Sequence, residues 1–111
     1  MYQEIETFFT DLYASEMKKE VLQGRARGET ILQTAKRLQV TQVRIQQIEA
    51  KITRAFAMSS TGRNILSAMS QLSDPVELSA FFGAYQAEMC HLLRLYHNSF
   101  YYRGPVPDKP V

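Results

Sequence analysis

With 111 residues, hydrophobic residues at 45% and one cysteine, the chain has room for one small domain with its own core, and none for a multi-site enzyme or a disulfide-held scaffold. The net charge of +2 is unevenly spread: residues 1–23 hold two lysines against five acids, residues 24–56 seven Lys/Arg against two Glu, and residues 57–111 four of each. A basic centre between acidic and neutral flanks points to a polyanionic partner, the plainer alternative being a solvated helical face.

Apolar residues recur at helical spacing almost throughout, so an all-α fold without strands is expected. Ile5, Phe8, Phe9 and Leu12, then Met17, Val21 and Leu22, predict a helix over about residues 3–27, open to interruption near Ser15. Gly28 is placed to close it as a C-terminal cap, and Gly24 is a weak point inside it. Thr30 and Gln33 have capping-box spacing and start a helix with Ile31, Thr34, Ala35 and Leu38 on one face. Gln39, Val40 and Thr41 break the register, and Thr41 caps a helix carrying Ile45, Ile48, Ile52 and Phe56.

Ser59, Ser60, Thr61 and Gly62 read as a linker before a short helix with Ile65, Leu66, Met69 and Leu72. Asp74, Pro75 and Glu77 mark the next start, from which Leu78, Phe81, Phe82, Tyr85, Met89, Leu92, Leu93 and Tyr96 predict one long helix to about residue 100. The organisation expected is an N-terminal helix plus helix-turn-helix DNA-binding domain over residues 1–58, a C-terminal packing and dimerisation region over 59–103, and a disordered tail over 104–111.

The helix-turn-helix reading rests on the helices flanking Gln39–Thr41, with small Ala35 where the second must approach the first and with Ile45 and Ile48 to pin it. At 100° per residue, Val43, Gln47, Ala50 and Arg54 lie opposite the isoleucines, flanked by Arg44, Gln46 and Lys51. Glutamine amides suit adenine edges, Val43 suits a thymine methyl group, and the cations suit guanine or phosphate. The expected base-reading set is Gln42, Val43, Arg44, Gln46, Gln47 and Lys51; the expected phosphate contacts are Arg25, Arg27, Lys36, Arg37, Thr41 and Arg54.

The stretch GETILQTAKRLQVTQVRIQQIEAKITRAF resembles region four, the promoter-reading helix-turn-helix of bacterial primary RNA polymerase sigma factors, over about residues 17–57. Ala35, Lys36, Val40, Arg44, Gln47, Ile48, Glu49, Ala50, Lys51 and Arg54 match that family's pattern. The resemblance implies a helix in the major groove of the −35 promoter element and a domain that docks on the β-subunit flap of RNA polymerase, carried here by Arg44 to Arg54. Gln42, Val43 and Gln46 stand where the family has Arg, Glu and Arg, so the scaffold is kept while the reading face differs. Gln39 replaces the glycine common in such turns, where a positive φ is favoured.

Cys90, His91 and His97 share a helix with no third group suitably spaced for zinc or thiol chemistry, and read as packing residues. Carboxylates 4, 6, 11, 16 and 20 read as exposed charge, with no paired acids. No metal, no cofactor and no enzymatic activity are expected. Phe81, Phe82, Tyr85, Tyr96, Phe100, Tyr101 and Tyr102 are too many to face water: they close over the first helix within one chain or across a two-fold axis, and a homodimer is favoured.

No apolar run of about 18 residues occurs and MYQEIETFF lacks the basic start of a secretory signal, so a cytoplasmic protein without membrane contact is expected. The function expected is sequence-specific binding of double-stranded DNA in transcription regulation, by a dimer. The alternative is a sigma-like adaptor that binds RNA polymerase or another regulator without reading DNA.

Overall fold

In the computed structural model, which describes residues 2–99, the chain forms α1 (Tyr2–Leu12), α2 (Glu16–Ala26), α3 (Ile31–Leu38), α4 (Gln42–Met58), α5 (Ser60–Met69), α6 (Pro75–Phe82) and α7 (Gln86–His97). A 3₁₀ turn, Gly83–Tyr85, joins the last two, and no strand occurs among the described residues. The expected tail over 104–111 lies outside the described residues.

The predicted first helix is divided at Ser15, whose hydroxyl accepts the Lys18 amide at 3.3 Å and so starts α2. Past the end of α2, Gly28 takes φ +106°, and the Glu29 amide turns back to the Gly24 carbonyl at 3.1 Å. Thr30 and Gln33 form the expected capping box, with bonds of 3.1 and 2.9 Å. The end of α3 uses a left-handed residue, Gln39 at φ 58°, so the Val40 amide reaches the Ala35 carbonyl at 3.0 Å. Thr41 then accepts the Arg44 amide at 3.0 Å and opens α4.

Two expectations are corrected. The Ser59–Gly62 linker is absent: Ser59 ends α4 and caps α5 by accepting the Gly62 amide at 2.8 Å, leaving Ser60, Thr61 and Gly62 inside the helix. Gly62 permits this tight corner because a Cβ there would overlap the Phe56 carbonyl. The single long C-terminal helix is also absent, since Gly83 takes φ 56° and the 3₁₀ turn redirects the chain. The apolar pattern runs on across the break because α6 and α7 both bury a face in the same core.

That core is built around α4, which packs against α2, α3, α5 and α7, while α1 lies on α5 and α6. Ile5, Phe9, Leu22, Ile45, Ile52, Phe56, Ile65, Met89 and Leu92 are all fully buried in it. Phe9 stacks on Tyr85 with ring centroids 4.4 Å apart, and Phe56 lies edge-on to both Phe8, at 5.5 Å, and Tyr96, at 5.7 Å. Tyr13 of the α1–α2 corner donates to Glu88 of α7 at 3.2 Å, and burial, with the Glu88 carboxylate, pushes its phenol well up.

Of the C-terminal aromatics, Phe81 and Phe82 are therefore buried within one chain, and Tyr85 and Tyr96 are half-buried against the same core. The homodimer expected through the aromatic helix would have to use what these side chains leave exposed. Phe100, Tyr101 and Tyr102, which also entered that expectation, lie outside the described residues. No described helix is long and apolar enough to cross a membrane.

Candidate nucleic-acid interface

On α4, Ile45, Ile48, Ile52 and Phe56 face the core as the spacing requires. Gln42, Val43, Arg44, Gln46, Gln47, Ala50, Lys51 and Arg54 are all exposed, so the base-reading set expected from sequence shares one open surface. Val43 is 59% exposed, an apolar group held in water at the start of the helix. The one acid of α4, Glu49, is buried, leaving the open arc with Arg44, Lys51 and Arg54 and no carboxylate. Among the described residues of this arc, the charges that an approaching anion meets are positive, and the glutamine amides add donors beside them.

The expected phosphate contacts separate into two groups. Lys36 is exposed, Arg27 is exposed with a loose ion pair to Glu29 Oε2 at 3.8 Å, Arg54 lies on the open arc, and the Thr41 hydroxyl accepts its cap bond from the Arg44 amide. Arg25 and Arg37 instead tie the helices together.

Arg37 Nε donates to Glu29 Oε2 at 2.8 Å and its Nη1 to Glu20 Oε1 at 2.8 Å, joining α3, the α2–α3 connection and α2. The hydrogen bond from Arg37, helped by the bond from Thr34 and the charges of Arg37 and Arg27, outweighs burial and holds the Glu29 carboxyl below its ordinary value. Glu20, expected as solvated charge, is thus an ion-pair partner. Gly24 explains itself here, since a Cβ would strike the tips of Glu29 and Arg37.

Arg25 Nε donates to Glu49 Oε2 at 2.9 Å and its Nη1 to the Glu29 carbonyl at 2.7 Å. The same Glu49 oxygen lies 2.8 Å from His91 Nε2, with the histidine only 4% exposed. Burial pushes the Glu49 carboxyl up, but the bonds from His91 and Arg25 and the charge of Arg25 outweigh it and hold the group below its ordinary value. Arg25 therefore faces Glu49 rather than a phosphate, and α2, α4 and α7 meet in one buried polar cluster. His91 Nδ1, also buried, has no hydrogen-bond partner.

Sequence reasoning missed this cluster. Its signal was faint: Glu49 borders the isoleucine face of α4, and His91 interrupts the apolar run from Met89 to Leu93. The partner of His91 is 42 residues away, so no local spacing reveals it. Among the described residues no three His, Cys, Asp or Glu side chains converge on a point that could hold a metal ion.

Neither a family model, nor a curated protein, nor a solved structure matches the chain.

Proposed function

We propose that α2, α3 and α4 act as a helix-turn-helix, with α4 entering the major groove of double-stranded DNA, and that the protein regulates transcription by binding specific sites. The observation that carries this reading is the open arc of α4, which presents Gln42, Val43, Gln46 and Gln47 beside three cations and no exposed acid. An α-helix of about 10–12 Å diameter fits a major groove about 12 Å wide. Within that groove, Gln46 and Gln47 pair with adenine edges, Val43 meets a thymine methyl group, and Arg44 and Lys51 reach guanine or the flanking strand. Arg27, Lys36, Thr41 and Arg54 hold phosphates and set the register.

The sigma-like spacing agrees with a transcription role, while the departures at Gln42, Val43 and Gln46 argue for a sequence other than the usual sigma target. The test is selection of bound sites from random duplex DNA. An enriched motif supports the reading, an asymmetric one a single reading subunit and a palindrome a dimer. No enrichment, together with capture of RNA polymerase in the absence of DNA, replaces the DNA reader by the adaptor. About four phosphate contacts also predict a slope of log affinity against log salt of about −3.6.

A further inference from the structure

A groove of about 340 Å³ runs between α4 and the C-terminal end of α7, lined by Gln46, Glu49, Ala50 and Thr53 on one side and Leu95, Asn98 and Ser99 on the other. Gln46 and Ala50 belong to the open arc of α4, whereas Glu49 and Thr53 are buried. The groove therefore begins where the proposed reading face ends, and the last turn of α7 forms its far wall.

From this we infer that α7 supplies a second DNA contact outside the helix-turn-helix: a phosphodiester strand bordering the bases read by α4 lies along the groove, with Asn98 donating to a phosphate. The inference rests on the DNA-binding reading and adds to it a surface with no counterpart in the sigma-like segment, which ends near residue 57.

Position, chemistry and rigidity each support it. The two walls of one groove hold the reading residue Gln46 beside Ala50 and, opposite, Asn98 at the C-terminal cap of α7, so a strand flanking α4 on this side meets the end of α7 next. Ala50 and Leu95 suit the apolar face of a deoxyribose, and the amide of Asn98 suits a phosphate oxygen. Among the described lining residues the one acid, Glu49, is buried and paired with Arg25. Arg94 stands in the last turn of α7, where its charge offsets the negative end of the helix dipole. Finally, the 2.8 Å contact between His91 and Glu49 fastens α7 to α4 about 10 Å before Asn98, so the contact moves with the reading helix.

The experiment measures binding of the full chain to its selected site and to random duplex DNA, as a function of salt, with Asn98→Lys, Asn98→Glu and Asn98→Ala. Asn98 is exposed, and its backbone bond to Arg94 survives substitution. Thr10→Lys and Thr10→Glu, at an exposed position of α1, which packs on α5 and α6, are the charge controls.

Asn98→Lys is expected to tighten both DNAs about fivefold and steepen the salt slope by about one ion; Asn98→Glu should weaken both about as much, and Asn98→Ala about threefold, with the Thr10 pair silent. Asn98 variants that match the Thr10 controls while Gln47→Ala still erases site preference would overturn the α7 contact and leave DNA reading standing. Changes confined to the selected site would overturn the phosphate assignment, and a chain that binds no duplex DNA would overturn both proposals.

Discussion

Arg25 separates a structural cation from a DNA-binding one, because sequence places it among the phosphate contacts and the fold places it against Glu49. Substituting Arg25→Met keeps an unbranched apolar stem and removes the guanidinium with its charge and donors. The Glu49 side chain, 7% exposed, is then left with His91 alone. Breaking a buried pair costs about 3–5 kcal/mol, and the 19% exposure of Arg25, which admits some water, lowers the expectation to about 2–4 kcal/mol. For a domain of this size that is a fall in Tm of roughly 10–25 °C. Urea unfolding followed by far-UV circular dichroism should show a lower midpoint at unchanged m-value. The triple replacement Arg25→Met, Glu49→Leu, His91→Leu should recover most of the loss, since an apolar cluster of similar volume has no charge to desolvate. Below its own melting temperature, Arg25→Met should keep the salt slope of DNA binding. Wild-type stability combined with a slope smaller by about one ion would refute the reasoning and return Arg25 to the phosphate.

Gln47→Ala should cost about 1–3 kcal/mol on the selected site and little on random DNA, whereas Lys36→Ala should weaken both alike and reduce the salt slope by about one ion, each read by fluorescence anisotropy. Gly62→Ala should destabilise by about 1–3 kcal/mol in urea, because its Cβ meets the Phe56 carbonyl and the α4–α5 corner must open. Glu49 and Glu29 have folded pKa values below the ordinary 4.5, so the stability they contribute is complete above that pH and is lost as pH falls through the lowered values. Melting temperature should therefore drop in acid below about pH 4.5, and Glu49→Gln should give a lower but flatter profile. Sedimentation at micromolar concentration should report a monomer in the absence of DNA, since Phe81 and Phe82 are buried inside the chain and Tyr85 and Tyr96 are half-buried against the same core; a dimer would restore the pairing expected from the sequence.

What sequence alone determined about this chain is what local chemistry dictates. Thr30, Thr41 and Asp74 cap their helices because a side-chain oxygen reaches amides two or three residues ahead, a relation visible in any window of four residues. The α4 stripe of Ile45, Ile48, Ile52 and Phe56 followed from the period of 3.6, and with it the exposed arc from Gln42 to Arg54. Only tertiary structure decided the rest. Ser59–Gly62 has a loop's composition yet lies in a sharp corner and the first turn of α5, since a Ser cap and a Cβ-free residue permit the close approach. The stripe from Leu78 to Tyr96 reads as continuous because a break at Gly83 leaves the burial pattern of both halves intact. Whether the aromatics met a second copy or Phe9 and Phe56 of the same chain, and whether Arg25 faced solvent or Glu49, depended on which helices become neighbours. Partners such as Glu49 and His91, 42 residues apart, come together only when α2, α4 and α7 pack.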